Sequence, residues 1–345
     1  MQIVLVYVYL SGEHRTLPAA EARAIAEAEN IPFKVLAHLD QVLIAESTPA
    51  FFDFLDLRAA FIKTAGLVLG VTESSLGIDG IRTILRNVNL EEYNINNISF
   101  RRIKHYGSEI RFDEVVDLVR KYASSSHSTS RRASSGSTLD IILSDGVVIV
   151  GIRKYARDLN KFRDRDPQKR PVYKPGTLTP EFSRIFVNLS RASVTNNDLF
   201  LDPFCGVGGF LLEACVIGLR TCGCDINPSY VEGAIKNLEF YGCTPNVVVA
   251  DACELPFSRA DAIGTDPPYG RLTKALGYET LHDLMLKFLE EAYSILRKGR
   301  YLVFAQKHGV VKESDIEDLG FRLVEYHKNW VHGSLTRDIF VVKRT

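Results

Sequence analysis

What the chain lacks sets the first bounds. No run of 18 apolar residues occurs among its 345 residues, so it holds no candidate membrane-spanning helix. It lacks a net charge, because 42 Lys and Arg offset 42 Asp and Glu. Taken as a sum, that balance argues against an overtly basic nucleic-acid binder. Cysteine is scarce: the six all lie between Cys205 and Cys253, which is not the framework of a small secreted domain. Among them, Cys222, Cys224, Cys243 and Cys253 form no C-x2-C zinc pair and read as small buried residues. The opening MQIVLVYVYL has neither a basic segment nor a small-residue cleavage site. It reads as a first strand, and a cytoplasmic protein is expected. With 46% hydrophobic and 24% charged residues the chain is not disordered, and its length suits two or three domains.

Strand-like and helical stretches alternate at first. A strand is expected over 3–10, a helix over 19–30, and two short strands within 33–46. A helix is then expected from about 48 to 65, carrying Phe51, Phe54, Leu55 and Phe61 at helical spacing. SFRRIKH reads as a strand and FDEVVDLVRKYA as an amphipathic helix. Residues 123–138 hold eight Ser and read as a loop. A hairpin follows, with its turn at Asp145–Gly146. The stretch 153–174 carries nine Lys or Arg and ends among Pro167, Pro171 and Pro175, so it reads as a basic linker that becomes extended. From Leu178 onward the apolar runs LFLD, TCGCD, NVVVAD, DAIGTD and YLVFAQ alternate with helical segments, the pattern of a doubly wound parallel sheet. Two further strands, FRLVEYHKNW and DIFVVKR, are joined at His332–Gly333.

Chemistry concentrates in this last region. LDPFCGVGG follows a strand and opens a helix, and Gly206, Gly208 and Gly209 allow close approach of a ligand. Asp202, Asp225, Asp251 and Asp266 close four successive strands, where open α/β sheets bind ligands. A glycine turn alone also suits a dinucleotide site or plain helix–sheet packing. The turn is not G-x-G-x-x-G, however, and four ordered acids better suit an adenosine-bearing cation such as a sulfonium. Asp266-Pro267-Pro268-Tyr269 is the most informative segment. Two prolines fix φ and remove competing N–H groups. The Asp266 carboxylate and the Pro267 carbonyl are then placed to accept both hydrogens of an exocyclic amine, and Tyr269 offers a face on which a base stacks. Such an amine is a poor nucleophile, and acceptors on its hydrogens tilt its lone pair toward an incoming methyl group. Positioning supplies much of the acceleration, with Asp266 taking the proton.

The segments DPFCGVGGFLLEA, DINPSYVEGAIKNLEFYG, ADA and TDPPYGR, with TLTPEFSRIFVNLSRA and HGSLTRDIFV, resemble the class I amino-methyltransferases that act on RNA. Within that class the chain is most similar to the THUMP-containing tRNA guanine-N2 methyltransferases of the archaeal guanosine-10 type. The resemblance implies an α/β chain with an N-terminal α+β ferredoxin-like domain over 1–58 and a THUMP domain over 59–155. A basic linker over 156–177 and a Rossmann-fold methyltransferase domain over 178–345 would follow. It implies S-adenosyl-L-methionine held by Asp202, Phe204, Gly206, Gly208, Asp225, Asp251 and Ala252, and guanine held by Asp266, Pro267, Pro268 and Tyr269. The expected activity is transfer of one or two methyl groups to N2 of guanosine 10 in tRNA. The alternatives are guanosine 6 of tRNA or, more distantly, an adenine-N6 nucleic-acid methyltransferase. Some members of the family work with a small zinc-binding activator protein.

RNA contacts are expected from Arg101, Arg102 and Lys104 on one strand and from Arg153 and Lys154 where the linker begins. The zero net charge is a cancellation. Residues 99–132 sum to +4 and residues 151–195 to +7, while 1–98 sum to −5, 133–150 to −2 and 196–345 to −4. His308, His327 and His332 are scattered and suggest no role.

Overall fold

The computed structural model describes residues 2–103, 110–123, 136–269, 279–332 and 335–345. They form two compact units. The first comprises Met1–Glu13, Ile31–Asp56 and Ile62–Arg157, and the second His14–Asn30, Leu57–Phe61 and Asp158–Thr345. The chain opens with β1 (Val4–Leu10), α1 (Leu17–Ala28), β2 (Lys34–Leu39), β3 (Val42–Ser47), α2 (Ala50–Arg58), β4 (Ile62–Glu73) and α3 (Gly77–Arg86). It continues with β5 (Ile95–Arg102), α4 (Phe112–Ala123), β6 (Ser137–Ser144) and β7 (Val147–Ala156).

In the first unit seven strands make one sheet in the order β2-β3-β1-β4-β7-β6-β5. All neighbours are antiparallel except β5 and β6, which run parallel. Ile81 and Leu85 of α3 and Val115 and Val119 of α4 bury against Leu139 and Ile141 of β6. The β6–β7 turn falls at Asp145–Gly146 as expected. Both residues are left-handed, at φ 48° and 79°, which matches the twist of a two-residue hairpin. Most of the Ser-rich stretch, with Arg131 and Arg132, lies outside the described residues, as does Lys104.

The helix expected over 48–65 ends at Arg58 instead. The Glu21 carboxylate accepts the backbone N–H groups of Ala60 (2.7 Å) and Phe61 (2.8 Å). A helix running on would give those amides to its own preceding turn, and the remote acceptor takes them. Twelve residues of β4 follow.

The second unit holds α1 and continues with α5 (Asn160–Arg163), α6 (Pro180–Leu189), β8 (Leu199–Asp202), α7 (Gly209–Cys215), β9 (Arg220–Asp225) and α8 (Pro228–Phe240). Then come β10 (Val247–Val249), β11 (Ala262–Thr265), α9 (Leu281–Ile295), β12 (Tyr301–Lys307), α10 (Glu313–Asp318), β13 (Phe321–His332) and β14 (Leu335–Arg344). Its sheet order is β10-β9-β8-β11-β12-β14-β13. The first five strands are parallel, and β14 and β13 close the sheet antiparallel. One face packs on α1, α6 and α7 through Leu17, Ala24, Phe186 and Phe210. The other packs on α9 and α10 through Leu284, Phe288 and Ile316. No described helix is long and apolar enough to cross a membrane.

Two expectations are corrected here. The basic stretch after β7 is folded rather than extended. Phe162 and Arg170 are buried, Arg165 grips Glu213 through two hydrogen bonds of 2.7 and 3.0 Å, and the Val172 amide donates to Asn237. Charge counting missed this because a lone buried acid, Glu213, draws the arginines inward. Cys243 is not a free buried thiol either, since it forms a disulfide with Cys215, their Cα atoms 6.1 Å apart. Cys215 ends α7 and Cys243 follows α8, so adjacent packing of the two helices brings together residues 28 apart in sequence. Cys205, Cys222, Cys224 and Cys253 are buried thiols.

Candidate active site

The site is assembled at the carboxyl ends of the parallel strands. The chain leaves β8 at Asp202 and turns through Gly206 (φ 51°) and Gly208 (φ 84°) into α7. A left-handed backbone at both positions favours glycine. A Cβ on Gly208 would also press on Ala234 of α8 at 3.3 Å. The Cys205 amide donates to the Cys224 carbonyl at 2.9 Å, tying the turn to β9.

The four strand-end acids stand side by side, because β10, β9, β8 and β11 are neighbours in that order. Asp251 follows β10 and accepts the Cys253 amide at 2.9 Å, with Ala252 buried between them. Asp225 accepts the amides of Gly206 (3.0 Å) and Asn227 (2.9 Å), which fixes the glycine turn to the start of α8. Asp202, almost fully buried, accepts the Thr265 hydroxyl at 2.7 Å and the Phe204 amide at 3.2 Å. Burial, aided by the neighbouring Asp225 and Asp266 charges, pushes the Asp202 carboxyl up to about 8. Burial also raises Asp225 and Asp266. Asp202, Phe204, Gly206 and Asp266 line one cleft, which encloses about 650 Å³ of space including open solvent. Its other wall includes Lys174, Gly176, Ser183 and Tyr230. The Lys174 ammonium lies 5.2 Å from the Tyr230 ring centre.

Asp266 follows β11 directly, and Pro267 is buried beside it. The Tyr269 hydroxyl donates to the Asp266 carboxylate. Arg337, a β14 residue with 7% of its side chain exposed, donates from Nε to the Tyr269 hydroxyl at 2.5 Å. Its other guanidinium nitrogen lies 3.4 Å from Asp266. The guanidinium also lies over the rings of Phe182 and Tyr269. Sequence reasoning missed Arg337, though a lone arginine beside the apolar run DIFVV is the signal that marks it. Gly270 and Arg271 lie outside the described residues.

A second set of donors adjoins the cleft. Arg170 is 5% exposed, and both of its terminal guanidinium nitrogens lack a partner, as does the hydroxyl of the fully buried Ser183. Both groups converge on Gly209. A Cβ placed there would lie 3.5 Å from the Arg170 guanidinium and 3.7 Å from the Ser183 hydroxyl.

The expected RNA-binding residues lie in the first unit. Arg101 and Arg102 are exposed on β5 and Lys154 is exposed on β7. Arg153 is partly buried and pairs through two nitrogens with the buried Asp140, which also accepts the Tyr7 hydroxyl. Tyr9, Lys63, Ser99, Arg101 and Arg153 border a hollow that encloses about 740 Å³ of space including open solvent.

Comparison with known proteins places the chain in a family. A family model described as RMKL-like, methyltransferase domain, matches residues 167–339. A tRNA (guanine(10)-N2)-dimethyltransferase of Methanothermobacter thermautotrophicus is 30% identical over 348 residues, spanning 98% of each chain. The chain belongs to this methyltransferase family. A second member, from Pyrococcus abyssi, is 30% identical over 98% of this chain and 99% of its own. The crystal structure of TrmN from Thermus thermophilus matches the fold of this methyltransferase with a TM-score of 0.53, over 99% of this chain and 100% of that one, at 17% identity.

Proposed function

We propose that the protein transfers one or two methyl groups from S-adenosyl-L-methionine to N2 of guanosine 10 in tRNA. The observation that carries the reading is Asp266-Pro267-Pro268-Tyr269 at the end of β11, beside the glycine turn and the three other strand-end acids. The full-length relatives bear that activity in their names.

The cleft suits a cofactor with charge of both signs. Asp202 is buried and Asp225 and Asp266 beside it are partly buried; desolvation raises all three, and the charges of Asp225 and Asp266 add to the rise at Asp202, so a cationic group placed among them is favoured. The two terminal Arg170 nitrogens, which lack a partner, and the Ser183 hydroxyl offer donors to a carboxylate at Gly209. Asp225 keeps lone pairs for ribose hydroxyls, and the glycine turn lets a ligand approach the backbone. When bound, the cofactor supplies a methyl carbon activated by its positive sulfur.

The residues do the rest. Asp266 and the Pro267 carbonyl accept the two N2 hydrogens and turn the lone pair toward the methyl. With a methyl group held in line by the bound cofactor, the N2 nitrogen would accept it, and Asp266 would take the proton that N2 loses. The Tyr269 hydroxyl now occupies an Asp266 oxygen, so the ring must turn aside as the base enters and then stacks on it. Arg337 keeps the carboxylate oriented. The first unit serves as the ferredoxin-like and THUMP portion, with Arg101, Arg102 and Lys154 contacting RNA phosphates.

Incubation with labelled cofactor and unmodified tRNA, followed by mass-spectrometric mapping, is expected to place the methyl on guanosine 10. Asp266→Ala should cut kcat/KM by roughly 10²–10⁴-fold and leave tRNA affinity unchanged. Label on another nucleotide, or an active Asp266→Ala enzyme, would refute the reading.

A further inference from the structure

The β13–β14 hairpin carries Arg337 on one face, and its opposite face bears a row that catalysis leaves unused. Tyr326, Lys328 and Trp330 occupy alternate positions of β13, so their side chains share a face. All three are exposed, and Trp330, the single tryptophan of the chain, is 71% exposed. An exposed indole offers a large flat face on which a partner can stack.

The row is built rather than incidental. Asp338, 2% exposed, accepts the Tyr326 hydroxyl at 2.8 Å, the His308 Nδ1 hydrogen at 2.9 Å and the Gly309 amide at 3.1 Å. Tyr326 also packs on Phe340, ring centres 5.0 Å apart, and the Lys328 ammonium lies 5.9 Å from the Tyr326 ring centre. One buried carboxylate thus fixes an aromatic ring and an exposed imidazole beside an exposed lysine. Along the strand the row reaches Trp330, the β13 partner of Thr336, one residue before Arg337, whose side chain turns to the other face.

We propose that Tyr326, Lys328 and Trp330 form a stacking platform for single-stranded RNA flanking the target nucleotide. This rests on the RNA-methyltransferase reading. An enzyme that takes a base out of its stack leaves neighbouring bases exposed. Aromatic faces receive such bases and a lysine neutralises the phosphate between them. Within the row itself the exposed charge is positive, Lys328, and the one carboxylate that holds it, Asp338, is buried. The backbone disfavours addition of another strand. β13 is an edge, yet its register shifts between Leu323 and Glu325 and again between Trp330 and His332. The Lys328 carbonyl already accepts from the His14 imidazole at 2.9 Å. Irregular, occupied edges resist pairing, so the side chains are what this face offers.

Because Trp330 is the sole tryptophan, its emission reports the platform directly in the full-length protein. Unmodified tRNA should quench that emission and protect it from acrylamide. Trp330→Ala should raise the KM for tRNA roughly 5- to 100-fold, with kcat, cofactor affinity and melting temperature unchanged, and Trp330→Phe should restore most of the loss. Unaltered emission and acrylamide access at saturating tRNA, while methyl transfer proceeds, would overturn the platform and leave the reaction standing. Quenching by tRNA without methylation of any nucleotide would support the platform and sink the reaction. Shielding of Trp330 by rising protein concentration alone, with a doubled mass, would assign the face to a second copy and overturn the proposal.

Discussion

If the proposed cofactor sits among the strand-end acids, its binding should depend on pH by a calculable amount. Asp202 receives two hydrogen bonds, yet burial and the nearby Asp225 and Asp266 outweigh them and push its carboxyl up to about 8. At neutral pH the empty cleft therefore holds mostly the protonated acid. A cation placed beside it favours the ionised form, so binding releases a proton. Each pH unit below the Asp202 value then costs about 1.4 kcal/mol, or tenfold in affinity. S-adenosylmethionine should bind roughly 100-fold more weakly near pH 6 than near pH 9, with the plateau beginning above the Asp202 value of about 8. The stability linkage has a definite sign. The folded state raises this pKa above the unfolded value of about 3.9, so it retains a proton that the unfolded chain loses. That stabilisation is complete below about pH 4 and is lost as pH rises toward about 8. Calorimetric titrations in two buffers of different protonation enthalpy measure both the affinity and the protons released. S-adenosylhomocysteine, without the sulfonium charge, should show a shallower dependence, and Asp202→Asn should flatten it. A flat affinity from pH 6 to 9 with no proton release would refute the argument.

Arg337→Gln should move the acidic limb of the kcat profile upward by about one pH unit or more, because a cation at this distance lowers a carboxylate by roughly that much. Arg337→Lys should recover part of the shift, and an unmoved limb would count against the positioning role. Arg170→Met removes the two unpartnered terminal nitrogens beside Gly209, together with the Nε bond to the Arg165 carbonyl, and should weaken S-adenosylmethionine binding about 10- to 100-fold, measured by calorimetry. Decarboxylated cofactor should bind both proteins alike, and an equal loss for both ligands would show general damage. Cys215→Ser opens a loop of 28 residues and should cost about 3–4 kcal/mol at most. Chemical denaturation in oxidising and reducing buffer reads it, and identical midpoints in the two buffers for the unaltered protein would refute a stabilising link.

The catalytic half was legible because each strand–turn pair carries its own local signal. An apolar run ending in an acid marks β8, β9 and β11, and their order along the chain is also their chemistry. The Asp145–Gly146 turn and the α4 periodicity are equally local. What escaped depends on remote partners. α2 stops at Arg58 because Glu21, 39 residues from Ala60, captures the next free amides. Arg337 joins Tyr269 across 68 residues, and the Cys215–Cys243 link exists only once α7 lies beside α8.

The same distinction changes the electrostatic argument. Residues 151–195 carry the largest positive sum in the chain, and as a tally that sum suggests a solvated surface for phosphates. The structure spends much of it inside the second unit. Arg165 and Arg184 both bind Glu213, whose side chain is fully buried. Arg191 bridges Glu27 of α1 and Glu325 of β13, and Arg170 is buried beside the cleft. A buried ion pair contributes little net stability, yet losing one partner is costly. These arginines therefore fix which helices can seat against the sheet, and they hold α1, α6 and the segment after β7 in place around the cofactor cleft. The exposed positive charge is smaller than the sequence count, and it stands on helix and strand alike: Lys161 and Arg163 on α5, Arg101 and Arg102 on β5, Lys154 on β7, and Lys328 on β13.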